Sequence, residues 1–254
     1  MYTPTLDQAR ALSRKGANLI PIYREIGADL ETPVTAYLKI ARGPHSFLLE
    51  SVEGGERQAR YSFIGSEPYK VLTTGPGTKA GAVDPLLHVE RELSSYFPAQ
   101  VDGLPRFLGG AIGYIAYECV RYFEPRVPTP ESDPLGVPES VLMFTNTILI
   151  FDHLQHVIRL VSHVYAGDDI TTAYGQAINR IEELASRLAT PLRTPRSEPR
   201  SLLATEEATS NFTPEAYEGV VRRCKDYIVA GDIIQVVPSR RVARPTAAET
   251  GSWT

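Results

Sequence analysis

The chain has 254 residues, of which 43% are hydrophobic and 22% are charged, and its formal net charge at pH 7 is −4; these values are typical of a globular protein. The mild acidity argues against nucleic acid as a partner, because phosphate binding needs a clustered excess of basic residues. A membrane is not expected as a partner either, because no apolar run approaches the roughly 18 residues of a spanning helix and the N-terminus lacks the pattern of a secretory signal.

Four helices are predicted along the chain. Thr-Pro at 32–33 and Asp-Pro at 84–85 each fit an N-cap residue followed by proline at the first helical position. A strong amphipathic pattern covers residues 168–189 and ends before a proline. The last helix is expected within residues 213–231, between a threonine cap and a closing glycine.

Strands are predicted between these helices. Residues 47–65 indicate a hairpin, 109–120 an apolar glycine-rich strand, 141–165 two long strands joined by a turn near Asp152, and 233–237 a short buried strand. Strands with interspersed helices but no regular βαβ alternation favour an α+β fold. We therefore expect an antiparallel β-sandwich with flanking helices.

The sequence also predicts a division into domains. Residues 190–211 are rich in proline, charge and small polar side chains, which indicates a linker between a domain at 1–189 and a segment at 212–254. The last segment holds one helix and one strand, too little to bury a core of its own. We expect it to expose apolar surface and to be the start of a domain that is truncated in this chain.

Polar side chains at the end of the hairpin at 47–65 are the best candidate for a binding site. Glu50, Ser51 and Arg60 supply an anion, a hydroxyl donor and a guanidinium, and Leu49 supplies an apolar wall. A free α-amino acid needs these three kinds of group, for its ammonium, its carboxylate and its side chain. The alternative is a structural ion pair between Glu50 and Arg60 across the two strands.

Other candidate sites are weaker. The histidines at 153, 156 and 163 have spacings that do not place all three on one strand face, so histidines of a hairpin are favoured over a metal site. The glycines at 109–113 lack the helix start and spacing of a phosphate-binding loop, which favours close strand packing. The two cysteines, Cys119 and Cys224, lie far apart and predict reduced thiols, as expected in the cytoplasm.

Several motifs resemble component I of anthranilate synthase, a member of the chorismate-utilising enzyme family. They occur in the family's order and are TPVTAYLKI (32–40), FLLESVEGGERQARYSFIG (47–65), FLGGAIGYIAYECVRYFEP (107–125) and YIVAGDIIQVVPSRR (227–241). The resemblance implies a lyase of tryptophan biosynthesis. That enzyme converts chorismate and ammonia to anthranilate and pyruvate, with Mg²⁺ as cofactor and a glutamine amidotransferase component II as the source of ammonia.

The resemblance also implies roles for individual residues. In the family the Leu-Leu-Glu-Ser segment lines the feedback site for L-tryptophan, which implies that Leu49, Glu50, Ser51 and Arg60 bind this effector. Gln235 stands where relatives that add water to chorismate carry a lysine base, which implies the ammonia-using branch and a place in the wall of the active site.

The family's catalytic and Mg²⁺-binding residues belong to its C-terminal half. The resemblance covers the N-terminal half only, so we expect the 254-residue chain to be inactive alone. Two alternatives remain, namely a non-catalytic module that binds an amino acid or a protein partner, and component I of aminodeoxychorismate synthase.

Overall fold

The computed structural model describes residues 1–50, 60–129, 132–133, 135–167, 169–192 and 208–245, which fall in two compact units, Met1–Arg193 and Thr194–Thr254. Among the described residues of the first unit, the α-helices are α1 (Leu6–Arg14), α2 (Pro33–Ile40), α3 (Pro85–Leu93) and α4 (Ile170–Leu188), and a 3₁₀-helix covers Tyr117–Tyr122. Its strands are β1 (Leu19–Gly27), β2 (Ser46–Leu49), β3 (Tyr61–Ser66), β4 (Lys70–Thr74), β5 (Gly110–Ile115), β6 (Ser140–Thr145), β7 (Thr147–Asp152) and β8 (Val157–Tyr165).

Two antiparallel sheets and a helical layer build the first unit. The larger sheet has the strand order β1-β8-β7-β3-β2 and the smaller has the order β4-β6-β5. One face of the larger sheet packs against α1, α2 and α4 in a core that includes Leu149 and Ile181. Its other face packs against the smaller sheet, where Ile148 and Ile150 lie with Met143. This arrangement confirms the predicted α+β class with a sandwich of antiparallel strands and helices outside.

The helices begin where their cap residues indicate. The Thr32 side chain accepts a hydrogen bond from the Thr35 backbone N–H before α2, and Asp84 caps α3 in the same way through Leu86. These bonds satisfy backbone donors that have no partner within the helix. In α4, Ile181 and other apolar residues of the predicted stripe are buried against the larger sheet.

The prediction of two strands over residues 141–165 is wrong, because three strands occupy them. The chain leaves the smaller sheet after β6 and enters the larger sheet with β7 at Asn146, so the apolar run is split between two sheets. The His163 backbone N–H donates to the Asn146 carbonyl at 3.0 Å, and the Thr145 hydroxyl donates to the Thr147 carbonyl at 3.0 Å. Polar groups thus occupy the crossing between the sheets. Helix α1 and strand β1 are further elements that were not predicted from the sequence.

Close packing, as predicted, explains Gly109 and Gly113, whereas a Cβ atom on Gly110 would meet nothing within 4 Å. A Cβ atom on Gly113 would lie 1.8 Å from the Val141 carbonyl oxygen of the neighbouring strand β6. No side chain fits into that space.

The second unit contains α5 (Pro214–Ala230) and a short antiparallel pair, β9 (Thr209–Ser210) with β10 (Val242–Ala243). Thr213 caps α5 through the Ala216 N–H, and Gly231 ends it with a φ of 80°, a conformation that glycine adopts without strain. β9 lies inside the segment at 190–211 that was predicted to be a linker, most of which lies outside the described residues.

The strand predicted at 233–237 is wrong, because this segment has no strand structure and Ile234 is 98% exposed. A strand needs a neighbour for its backbone groups, and in the described part of the second unit only β9 and β10 pair. No residue of α5 is buried, which confirms the expected exposure of apolar surface. None of the helices in the described ranges is long and apolar enough to cross a membrane.

Candidate functional site

Four strand ends of the larger sheet meet where the hairpin motif leaves β2. Because neighbouring strands run antiparallel, the end of β2 lies beside the start of β3, the end of β7 and the start of β8. We call this edge of the sheet the hairpin end. The described residues at this edge include Leu49, Glu50, Arg60 and Asp152.

The predicted site residues differ in what surrounds them. Leu49 is 43% exposed and so offers apolar surface at the hairpin end. Glu50 is exposed and forms no ion pair with any residue that the structure describes. Ser51 lies outside the described residues. The structure therefore places Leu49, Glu50 and Arg60 at one edge and leaves the place of Ser51 a prediction.

Arg60 forms its ion pair with Asp152 and not with Glu50. Its Nε donates to Asp152 Oδ1 at 3.0 Å and its Nη2 donates to Oδ2 at 2.7 Å, a bidentate arrangement. The β2–β3 register places Leu49 opposite Phe63, so Glu50 is level with Ser62 and two positions from Arg60. The alternative of a structural Glu50–Arg60 pair is therefore wrong, and the Glu50 carboxylate has no partner among the residues that the structure describes.

Asp152 lies at the centre of a buried polar cluster. Its side chain is fully buried and also accepts a hydrogen bond from Arg159 Nη1 at 2.9 Å and from the Leu154 and Gln155 backbone N–H groups at 3.2 Å. Burial alone would raise the pKa of Asp152, but the hydrogen bonds from Arg60 and Arg159 outweigh burial and lower the pKa to about 2. The carboxylate is thus charged at neutral pH and holds both guanidinium groups.

Arg60 keeps donors for a ligand after this pairing. A guanidinium carries five N–H donors, and Asp152 accepts from Nε and Nη2, so Nη1 makes no bond to a described residue. The side chain is 31% exposed and its Cζ lies 4.9 Å from the centre of the Tyr61 ring. In the described part of the chain, the hairpin end therefore combines a fixed, partly exposed guanidinium with the unpaired carboxylate of Glu50.

Charge at this edge is balanced across the sheet. One carboxylate, Asp152, serves two guanidinium groups, which leaves an excess of positive charge. Arg159 Nε also donates to Glu25 Oε2 at 3.1 Å, on the neighbouring strand β1, and the negative charge of Glu25 balances this excess. The cluster thus runs over β3, β7, β8 and β1.

A second polar pair lies beside the cluster. The hydroxyl of the buried Ser62 is 2.8 Å from His153 Nε2, and the His153 ring stacks on Phe151 at a centroid distance of 6.1 Å. His153 is therefore held by a neighbouring strand, as expected for a histidine of a hairpin. Among the residues that the structure describes, no group of three or more histidine, cysteine, aspartate or glutamate side chains could hold a metal ion. Mg²⁺ therefore does not fit these residues.

Gln235, the predicted wall of the active site, belongs to the second unit. It is exposed within the segment at 233–237 that lacks strand structure. Its role stays a prediction.

Asp152 and Arg159 are members of the site that the sequence did not predict. Asp152 was assigned to a turn, and Arg159 to the apolar strand that follows. A signal was available, because an arginine stands within the otherwise apolar run VIRLVSHVY and an aspartate ends the strand before it. In the β7–β8 register these two residues are diagonal neighbours on the same face.

Comparison with known proteins identifies the family. Residues 44–253 match the family model described as chorismate binding enzyme. The chain belongs to the chorismate-binding enzyme family. Among its curated relatives is the probable anthranilate synthase component 1 of Schizosaccharomyces pombe, 43% identical over 247 residues, with 96% of this chain and 49% of the relative covered. Anthranilate synthase component 1 of Pseudomonas aeruginosa is 42% identical over 246 residues, with 91% and 50% covered.

A solved structure of a family member supports the fold. The crystal structure of anthranilate synthase component I from Streptococcus pneumoniae matches with a TM-score of 0.52 and 24% identity, and the match covers 82% of this chain and 46% of that one. This member of the chorismate-binding enzyme family thus resembles anthranilate synthase component I, as the sequence motifs indicated. It spans about half the length of the curated relatives that it matches.

Proposed function

We propose that the protein carrying these residues is component I of anthranilate synthase, which converts chorismate and ammonia to anthranilate and pyruvate in tryptophan biosynthesis. The observation that carries this proposal is the identity of 43% and 42% to proteins named as component 1 of that enzyme. The designation "component 1" in these names supports the existence of a second component, which we propose is a glutamine amidotransferase that supplies ammonia. Mg²⁺ belongs to the proposed activity, with ligands outside the described residues.

The hairpin end is proposed as the feedback site for L-tryptophan. Nη1 of Arg60 can donate to the effector's carboxylate, the free carboxylate of Glu50 can accept from its ammonium, and the exposed side chain of Leu49 can contact its indole. Ser51, the next residue after Glu50, is proposed to contribute its hydroxyl. These groups match the three parts of a free aromatic amino acid.

The proposed domains follow one another along the chain. Residues 1–189 are proposed as a regulatory domain, 190–211 as a linker and 212–254 as the start of the chorismate-binding domain, with Gln235 in its active site. Because the chain spans about half of its relatives, we expect the 254-residue polypeptide alone to form no anthranilate. The cytoplasm is proposed as its compartment, which agrees with Cys119 and Cys224 being free thiols.

A chimaeric enzyme tests the proposal. Residues 1–254 would replace the matched half of the Pseudomonas aeruginosa relative, and anthranilate formation would be followed by fluorescence with chorismate, ammonia and Mg²⁺. We expect an active enzyme that L-tryptophan inhibits. Arg60→Gln and Glu50→Gln should weaken inhibition about tenfold or more, since each removes the charge of the protein partner from a charge-assisted hydrogen bond to the effector, while the uninhibited rate stays unchanged.

Matched controls and alternative outcomes complete this test. Arg14→Gln changes an exposed arginine of α1 that has no partner among the described residues, and it should leave inhibition unchanged. D-tryptophan should inhibit weakly, because its ammonium and carboxylate are exchanged in position. Formation of aminodeoxychorismate would favour the folate-pathway alternative, and tryptophan binding without any catalytic activity would favour the binding module. Inhibition that is unaffected by both hairpin-end variants would place the effector elsewhere.

A further inference from the structure

A cavity lies at the edge of the larger sheet opposite to the hairpin end. Its volume is about 290 Å³, near the lower limit for small-molecule sites. It opens between the two sheets of the first unit, where β1 begins, β8 ends and the chain crosses from β6 to β7 at Asn146. None of the residues proposed for the effector site lines it.

His163 provides a hydrogen-bond acceptor in this cavity. The residue is only 5% exposed, and its Nδ1 lies 3.0 Å from the Asn146 carbonyl oxygen. Burial lowers the pKa of His163 and outweighs the hydrogen bond to the Asn146 carbonyl, which alone would raise it, so the ring is neutral at pH 7. A carbonyl can only accept, so the proton is on Nδ1, and Nε2 has a lone pair and no partner among the described residues.

Three tyrosines give the cavity aromatic walls. Tyr69, Tyr96 and Tyr165 line it, and the rings of Tyr96 and Tyr165 lie 5.7 Å apart at an angle of 58°. Burial raises the pKa of Tyr69 and of Tyr165, so both phenols are neutral at physiological pH. The Tyr69 hydroxyl donates to Glu92 at 3.4 Å, and Lys70 neutralises that carboxylate. Flat aromatic walls of this kind suit a planar ring.

Arg106 provides the charge at the mouth of the cavity. It is exposed and is the charged residue among the described lining residues, since His163 is neutral. Other arginines of the first unit, such as Arg60 and Arg159, have carboxylate partners, whereas Arg106 has no hydrogen bond or ion pair within the described part of the chain. A guanidinium without a partner beside an aromatic cavity favours a carboxylate ligand.

We propose that this cavity binds a small aromatic carboxylic acid that carries a hydroxyl or amino substituent. The carboxylate pairs with Arg106, the substituent donates a hydrogen bond to His163 Nε2, and the ring packs against the tyrosine walls. The site is separate from the hairpin end and does not depend on the proposed function. A side chain is excluded from its inner wall at Gly109, where a Cβ would lie 2.7 Å from the Thr145 carbonyl oxygen and 3.4 Å from His163 Cε1.

Ligand binding to the 254-residue chain tests this site. The probes are the three hydroxybenzoate isomers and 2-aminobenzoate, because the positions of Arg106 and His163 select among ring substitutions. Saturation-transfer NMR detects binding, and titration gives Kd. At least one probe should bind, and benzoate, which lacks the donor for His163, should bind it about fivefold or more weakly, as expected for one hydrogen bond.

Variants at the surface locate the bound probe. Arg106→Gln should weaken binding about tenfold or more, through the loss of a charged hydrogen bond. Arg14→Gln, at another exposed arginine without a described partner, and Arg60→Gln, at the hairpin end, should leave Kd unchanged. Circular dichroism checks that each variant is folded. The proposal is overturned if no probe binds, if benzoate binds as tightly as the best probe, or if Arg60→Gln weakens binding as much as Arg106→Gln does.

Discussion

Replacing Asp152 by asparagine should destabilise the first unit more than any change to a surface ion pair. A carboxyl whose pKa falls from an ordinary value of 3.8 to about 2 stabilises the folded state by about 2 kcal/mol at pH 7. Asparagine also leaves the guanidinium of Arg159, whose side chain is 5% exposed, without its buried counter-ion. Removal of one partner of a buried pair costs about 3–5 kcal/mol, so we expect a loss between about 2 and 5 kcal/mol.

Urea unfolding followed by circular dichroism measures this loss, and its dependence on pH tests the cause. Because the folded-state pKa of Asp152 is depressed, its contribution is complete above pH 3.8 and is lost as the pH falls towards about 2. The gap between wild type and Asp152→Asn should therefore be constant at neutral pH and shrink over that acidic range.

Asp7→Asn is the matched control for this prediction. Asp7 pairs with Arg10 at 3.0 Å, but its side chain is 90% exposed. Water screens such a pair, so its loss should cost less than about 1 kcal/mol. If Asp152→Asn and Asp7→Asn cost the same, or if the gap for Asp152→Asn persists unchanged at pH 2, the assigned role of the buried carboxylate is refuted.

Two further predictions concern packing. Gly113→Ala should lower the stability in thermal unfolding by about 2 kcal/mol or more, because its Cβ would meet the Val141 carbonyl oxygen at 1.8 Å. Gly175→Ala, in α4 with open space around it, should instead raise the stability by up to about 1 kcal/mol. Higher stability for Gly113→Ala or lower stability for Gly175→Ala would contradict this. Ile181→Ala should cost about 2–5 kcal/mol in urea unfolding, because Ile181 is fully buried, against less than about 0.5 kcal/mol for the half-exposed Leu87→Ala. Equal losses for these two variants would contradict the assigned core.

Local signals made most helices predictable. The caps before α2, α3 and α5 and the stripe of α4 depend on residues within a few positions of one another, and the structure places these helices as expected. The same kind of signal was available for α1, where Thr5 and Gln8 form a capping box. The faces of short helices are harder to predict from sequence, and the apolar side chains of Leu38 in α2 and Leu86 in α3 are exposed. Which side of a short helix is buried depends on what packs against it.

Long-range pairing limited the prediction of strands and of the site. The β-branched run around Ile234 has strand composition, but composition does not supply a neighbouring strand. The partner of Arg60 is 92 residues away at Asp152, and only the register of β3 against β7 brings the two together. That Glu50 and Arg60 lie at one edge of the sheet could thus be predicted from the hairpin pattern, whereas the cluster that holds Arg60 could not.

The stability of the first unit does not by itself require the ion pairs around Asp152. Buried ion pairs can often be replaced by apolar side chains without loss of stability, so two arginines and one aspartate are not required to close the edge of a sheet. Asp152 does fix the guanidinium of Arg60 through two hydrogen bonds at the point where the hairpin strands end. Ordering a long side chain on binding costs about 0.5–1.5 kcal/mol, and Arg60 is ordered in advance. At the proposed effector site, loss of Asp152 should therefore weaken both folding and effector binding, whereas loss of the exposed Glu50 should weaken binding alone.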